Sequence, residues 1–492
     1  MKFDDASNTA PAVIAYLCLP TRRSIFGRDS FCSGAKALIT HLTSASLGDL
    51  LLRPSSEKTD AGLPASETFD PSISRPLRHP IKALLRLRAL ESLRYREFRL
   101  IWYGQVFASM ATWMDSVARG WLIYELTSSS FQLGLVRGVQ ALPILLLSPI
   151  AGSTADLYSR KMQVMIAQIV DGLLYAAVAL LILTGEIQAW HVYATSIGLA
   201  TVQTFQQPSR ASMISDAVPP GSLINAIGLN AIVFNVARTG GPGVAGVLIA
   251  VFGTAGSYSV QAMFFFLATF WTLKLRAEQR LSAGIAGHAH SGESFGRSVV
   301  EGWKFSWRNH EVRTGLLVVT FASLLLIPFS TLLPVFARDI LAVGAKGQGL
   351  LLTSMGVGAL LSSVLVASLG DRMPRGIVMI GGVAIYGVLV VIFSASSSFA
   401  LSVAVMALIG LCHVTSHALV QTVIQAYSPP EFRGRTMAIF YMTQVVLVVG
   451  AMLIGALATL VGARWAAASM SMLGTLTMIA IYFLMPHARG IR

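Results

Sequence analysis

The sequence predicts an all-α integral membrane protein of twelve transmembrane helices arranged as two pseudo-symmetric six-helix halves. Three observations predict it: an apolar composition, twelve span-length apolar runs, and a polar loop that recurs about 215 residues later. Of 492 residues, 54% are hydrophobic and only 12% charged, with a mean hydropathy of +0.65. A water-soluble domain carries about a quarter of its residues as charges, so this chain belongs in a bilayer. The net charge of +14 does not indicate nucleic acid, because the basic residues are dispersed among short loops between apolar runs.

A span needs about 20 residues to cross the hydrocarbon. Suitable runs lie near 98–124, 131–154, 162–184, 190–212, 222–252, 256–275, 314–337, 348–369, 377–395, 399–425, 433–460 and 464–486. The predicted divisions are a tail over 1–74, a basic amphipathic segment over 75–97, a first half over 98–275, a linker over 276–313, a second half over 314–486, and an end over 487–492. The tail, rich in Ser, Thr, Pro and acidic residues, reads either as disordered or as the product of a misassigned start codon. The basic segment alternates Leu with Arg around Ala83–Arg88, as an interfacial helix does. Within the linker, Val299, Val300, Trp303 and Trp307 fall at helical spacing and predict a surface helix from Phe295 to Trp307.

Basic residues set the orientation. With a cytoplasmic N-terminus, the inner side receives the Arg75–Arg99 cluster, Arg160, Lys161, Arg210, the linker basics, Arg372, Arg375, Arg433, Arg435, Arg489 and Arg492. The outer loops keep Arg338, Lys346 and Arg464, which predicts that both termini are cytoplasmic. A multi-pass protein of a bacterial plasma (inner) membrane is expected.

The recurring loop runs Gly152, Ser153, Thr154, Ala155, Asp156, Leu157, Tyr158, Ser159, Arg160, Lys161, and its skeleton returns with Asp371 and Arg375. A shift of 215 also places Gly134 on Gly349, and a shift of 210 places Pro219–Pro220 on Pro429–Pro430 and Gly240 on Gly450. Duplicated halves around a central site are a transporter signature.

Among charged positions well inside spans are Asp115, Arg119, Arg137, Asp171 and Arg238, all in the first half. An unneeded charge at the bilayer centre is selected against, so these are candidate functional groups. Asp115 and Arg119 stand one helical turn apart in the favourable order for an ion pair. They allow two states, paired and ionised or separated and protonatable; a switch between them would couple protons to transport, whereas a permanent pair would only lower the cost of both charges. Asp171 reads mainly as a protonated or hydrogen-bonded structural group, and Arg137 and Arg238 either neutralise Asp115 or Asp171 or, for Arg238, meet an anionic cargo. The proton-coupling candidates are thus Asp115, Arg119, Asp171 and Arg238.

The second half offers His413, His417 and Gln421 on one face of span ten, while span four carries Gln203, Gln206 and Gln207. Gln203, Gln207, His413, His417 and Gln421, with Trp113 of span one, are the candidate cargo contacts, and the histidines equally suit interhelical hydrogen bonding. Three cysteines without paired spacing indicate no disulfide framework, and no metal or nucleotide motif appears, so no cofactor is expected and no enzyme activity.

Two six-span halves with a GxxxDxxxR-type loop after span two and a weaker echo after span eight resemble the major facilitator superfamily, over roughly residues 95–488. Phe98–Trp102, Gly120–Thr127 and Asn225–Asn230 look like the branch of enterobactin exporters and macrolide efflux pumps. Gly228, Gly241, Pro242 and Gly246 are similar to the span-five motif of drug/proton antiporters, with Ala237 and Ala245 where that motif has glycine; tight helix packing explains the same residues.

The resemblance implies that spans one, four, seven and ten line a central cavity. It also implies that Gly152, Asp156, Arg160, Lys161, Asp371 and Arg375 form a cytoplasmic gate, Asp156 facing the start of span eleven near Phe432–Arg435 and Asp371 the start of span five; tight turns with positive-inside charge are the simpler reading. The function expected is secondary active export of a small organic molecule by alternating access, in exchange for protons. An importer or lysophospholipid-type transporter of the same fold, and a non-transporting membrane sensor or scaffold, are the alternatives. Expected partners are the small-molecule substrate, protons and membrane lipid, not nucleic acid; oligomeric state is unreadable, and a monomer is the simplest expectation.

Overall fold

A computed structural model describes residues 88–276, 295–369 and 373–491, which lie within one compact unit, Leu77–Arg492. The expected tail over 1–74 and most of the 75–97 segment fall outside the described residues. The helices of the first half are α1 (Arg96–Thr127), α2 (Ser130–Leu157), α3 (Arg160–Leu183) and α4 (Ala189–Asp216), followed by a continuous run, Leu223–Leu273. That run is two helices: Gly253, at φ 70° and ψ 179°, breaks it into α5 (223–252) and α6 (254–273). Only glycine reaches this conformation without strain, so the turn between the two needs no loop. A linker helix, Phe295–Arg308, leads to α7 (His310–Ile340), α8 (Gly344–Leu369), α9 (Arg375–Ala395), α10 (Phe399–Ala426), α11 (Pro430–Val461) and α12 (Ala463–Leu484).

Nine of the described helices are long and apolar enough to cross a membrane, the Pro220–Leu273 stretch counting once. α1 and α4 are not among the nine. They carry Asp115 and Arg119, and Gln203, Gln206, Gln207 and Arg210, respectively. Their polarity is internal, as expected where helices line a site rather than face lipid.

Boundaries follow local chemistry. Asn309 caps α7 by accepting the amide hydrogen of Val312 at 2.9 Å, so this helix begins before the polar stretch His310–Arg313 that the sequence assigns to the linker. α7 is irregular, changing from α-helix to wider and tighter turns between Ala322 and Ile340, where Pro328 and Pro334 remove backbone donors. The interfacial helix expected around Ala83–Arg88 lies almost wholly outside the described residues; the described part of the basic segment opens with a 3₁₀ turn, Arg88–Arg94. It is held on α5 because the Ser92 amide donates to Asn225 at 2.9 Å and its hydroxyl to the Ser222 carbonyl at 3.0 Å.

The halves meet along two pseudo-symmetric pairs, α2 with α11 and α5 with α8. A Cβ on Gly134 would lie 2.4 Å from the Ala451 carbonyl oxygen, and one on Gly349 would lie 2.6 Å from that of Pro242. Residues related by the 215-residue repeat therefore do the same work, letting backbones touch across the interface. The companion pair differs by one position: Gly450 packs on α7, but in the first half Gly241, not Gly240, packs on α1, its Cβ position 2.8 Å from that of Trp113.

These cross-half contacts gather toward one end of the bundle, where Thr127, Ser130 and Gly462 lie. There the Tyr124 hydroxyl donates to the Asp339 carboxylate, Arg338 donates to the Tyr124 carbonyl at 3.3 Å, and its guanidinium sits 5.4 Å from the Tyr124 ring. Toward the opposite end, where Arg160 lies, α2 exposes the consecutive residues Ile144, Leu145 and Leu146. Consecutive helical residues point to different sides, so α2 is uncovered on more than its lipid face there. α8 likewise exposes Leu361 and Val364, and α5 exposes Ile224 and Ile227.

Candidate functional site

A cavity of about 250 Å³ lies between the halves, walled by α1, α2 and α5 on one side and α7, α8 and α10 on the other. Asp115 and Arg119 form its charged wall. The Arg119 Nε donates to one carboxylate oxygen at 2.8 Å and Nη2 to the other at 2.9 Å, a two-point bond that fixes both side chains. Arg119 also donates to the Ser196 hydroxyl of α4 at 2.7 Å. The side chains are 14% and 5% exposed, so the structure holds the paired state of the two that the sequence allows.

Arg137 from α2 and Arg238 from α5 line the same cavity. The expected neutralising of Asp115 or Asp171 is not made by a direct ion pair among the described residues, though Asp115 lies near enough to Arg137 to act on its charge. Asp115 is already engaged by Arg119, and neither Arg137 nor Arg238 makes an ion pair or hydrogen bond among the described residues. Asp171 is fully buried on α3, outside the cavity wall, and both of its carboxylate oxygens lack a hydrogen-bond partner, so the hydrogen-bonded form of its expected role is absent.

The polar faces of spans four and ten do not share a cavity. Gln203 and Gln207 line a separate chamber of about 390 Å³ between α1, α4 and α5, together with Gln206 and Arg210. α4 contributes nothing to the lining of the central cavity, whereas α1, α7 and α10 do, as the resemblance implies. The two chambers adjoin at Trp113, which lines both and packs edge-on against Phe234 with ring centroids 5.4 Å apart. Trp113 thus acts as a partition as well as a wall. Its position is set by Gly241, the only residue type that lets α5 come so close to α1.

Of the span-ten stripe, His413 reaches the central cavity. His417 turns toward Phe440 of α11, with centroids 5.2 Å apart, and lines a small void behind α7, while Gln421 lines none of these cavities. No cluster of three or more His, Cys, Asp or Glu side chains able to hold a metal occurs among the described residues. Gly246 packs against α8, with its Cβ position 2.6 Å from the Ala345 carbonyl, and Pro242 lies in the cavity wall, but Gly228 has open space around it. Two of the three motif glycines therefore serve close packing.

Gln140 and Gln348 also line the cavity and carry no signal in the repeat or motifs. Gln348 could be found only by asking which polar residues sit inside spans without a reason to be there; its amide oxygen is buried without a partner.

The expected gate residues divide. Gly152 and Asp156 lie in the last two turns of α2, and Asp371 lies outside the described residues. Arg160 pairs with Asp216 at the end of α4, and Lys161 donates to the carbonyls of Leu273 and Leu275 at the end of α6, so both tie the first half together. Arg375 opens α9, where the Gly376 amide donates to the Ile491 carbonyl at 3.1 Å. The start of α11 is met by the linker helix: Phe305 stacks on Phe432 at 4.6 Å and Arg435 pairs with Glu301 at 3.0 Å.

Comparison with known proteins agrees with this architecture. The chain is 26% identical over 347 residues to the multidrug efflux pump Tap of Mycolicibacterium fortuitum, covering 69% of this chain and 83% of that one. It is 23% identical over 371 residues to the staphyloferrin A transporter of Staphylococcus aureus, covering 72% and 87%. A bacterial homologue of the human lysosomal transporter Spinster, solved inward-facing and unoccupied, shares the fold with a TM-score of 0.61 at 14% identity over 82% of this chain and 97% of that one. The nucleoside transporter NupG does so with a TM-score of 0.62 at 11% identity over 80% and 98%. With a family model described as transmembrane secretion effector matching residues 88–489, the chain belongs to that family of the major facilitator superfamily.

Proposed function

We propose that this protein exports a small organic molecule from the cytoplasm by alternating access, driven by proton antiport, with the Arg160 end and both termini cytoplasmic. The observation that carries the reading is the central cavity. It lies at the interface of two repeat-related halves, it has the bidentate Asp115–Arg119 pair in its wall, and the cross-half contacts cluster at one end of the bundle. Relatives named as a multidrug efflux pump and a siderophore transporter favour a small-molecule cargo, and the former favours export.

In this reading the conformation is cytoplasm-open. Cargo enters past the Gln203–Gln207 chamber, and the Trp113–Phe234 contact parts to admit it. Closure of the Arg160 end brings Asp156 to the start of α11, displacing the linker helix from Phe432 and Arg435, while the Tyr124–Asp339 contact breaks to release cargo outside. Protonation of Asp115 weakens its bond to Arg119, and a proton taken up from outside is thereby exchanged for cargo.

Proteoliposomes test this. Wild-type protein is expected to show counterflow of a dye cargo and, with an imposed proton gradient, uphill movement that a protonophore abolishes. Asp115→Asn is expected to keep counterflow but lose uphill movement. Absence of counterflow sinks the transport reading; uphill movement by Asp115→Asn at the wild-type rate sinks the coupling site.

A further inference from the structure

The lining of the central cavity carries one carboxylate, Asp115, against three guanidinium groups, Arg119, Arg137 and Arg238. Asp115 is satisfied from both oxygens by Arg119, so that pair contributes no net charge. Arg137 and Arg238 have no ion-pair or hydrogen-bond partner among the described residues. Arginine keeps its proton in proteins, so neither can escape the cost by becoming neutral. Asp115 is near enough to act on Arg137 as well, yet one carboxylate cannot balance three guanidinium groups, and an excess of positive charge in a membrane interior is costly unless an anion joins it for part of the working cycle.

The rest of the wall says what kind of anion. Trp113, Leu133, Val136, Leu352 and Met355 give it a broad apolar surface, which would be wasted on an inorganic ion. We propose that the cargo of this cavity is an organic anion, carrying one or two carboxylate or phosphate groups on an apolar body, with its charge held by Arg137 and Arg238. Planar guanidinium groups match the two oxygens of such a group better than an ammonium would. The inference rests on the transport reading for the word cargo, but the anion site stands on the cavity alone.

Fluorescein and rhodamine 123 share a xanthene frame and carry opposite charge at mildly alkaline pH, so their binding to the purified full chain, read by fluorescence polarisation, isolates the charge. The wild type is expected to bind fluorescein at least about tenfold more tightly than rhodamine 123. Arg137→Gln/Arg238→Gln should remove that preference, and Arg238→Lys should keep most of it. A double variant that lost its fold would bind neither dye, so salt gives a second readout on the wild type: raising it from about 20 to about 300 mM should weaken fluorescein binding and spare rhodamine 123.

Tighter binding of the cation by the wild type, no binding of the anion, or an affinity for fluorescein unchanged by salt and by both substitutions would each overturn the proposal. So would displacement of fluorescein by phosphatidylglycerol but not by 1-naphthoate, which assigns the arginines to a lipid headgroup. If wild-type protein drives rhodamine 123 uphill yet binds no fluorescein, export stands and the anion assignment falls. If fluorescein binding depends on the arginines but no dye crosses the membrane, the anion site stands and the export reading falls.

Discussion

The two ends of the bundle are built from the same repeat yet behave differently. At the Thr127 end, Gly134, Gly246 and Gly349 let backbones of opposite halves touch, and Tyr124, Arg338 and Asp339 tie α1 to α7. At the Arg160 end, the described ties run within a half, from Arg160 to Asp216, from Lys161 to the end of α6, and from the linker helix to α11. The difference teaches that, among the described residues, glycine brings backbones of opposite halves together at the Thr127 end, whereas the charge pairs seen at the Arg160 end organise each half as a body. In the proposed cycle the two halves rock as bodies about the Thr127 end.

The largest expected effect lies between the two ends. Asp115→Asn leaves Arg119 buried without its two-point partner and is expected to cost about 3 kcal/mol of stability, read as a lower melting temperature in detergent. Arg119→Gln added to it should recover most of that loss without restoring proton-driven transport. If Asp115→Asn melts like the wild type, the pair does not stabilise the fold.

Gly349→Val comes next. Its side chain has no room between α8 and α5, so the Thr127 end should be pried open and transport should fall at least about tenfold. A cysteine replacing Ser330, in the cavity wall, reports this through its labelling by a membrane-impermeant maleimide applied from the Thr127 side. No change in labelling would mean that the glycines do not hold the Thr127 end closed.

Tyr124→Phe removes one hydrogen bond to a carboxylate, a loss of about 1.5 kcal/mol that should raise labelling at the same cysteine about tenfold. Glu301→Gln is expected to be the mildest, a change of about twofold in transport rate, because its pair with Arg435 is partly exposed to water. A larger effect from Glu301→Gln than from Tyr124→Phe would reverse the comparison and place the main lock at the Arg160 end.

Much of the fold was legible because membrane helices announce themselves. Span-length apolar runs, the repeat joining Gly134 to Gly349, and the linker helix at Phe295 all correspond to described elements. Boundaries shifted where a cap outweighed polarity, as Asn309 does at the start of α7, and the sequence carried no sign that Ser92 would find partners at the start of α5. The site was less legible. Asp115 and Arg119 pair as their spacing allows, but spacing could not say that Gln203 and Gln207 would lie behind Trp113 in another chamber, or that His417 would turn to Phe440.

By itself the sequence determined that this chain is an all-helical membrane protein of two related halves and which residues are too polar to face lipid. Those properties depend on composition and local periodicity, which each segment carries alone. The tertiary structure decided which polar groups share a cavity, that Arg137 and Arg238 stand in it without a direct partner among the described residues, and where glycines bring the two halves into backbone contact. These depend on how helices rotate and approach one another, a matter of contacts between residues far apart in the chain that no local pattern encodes.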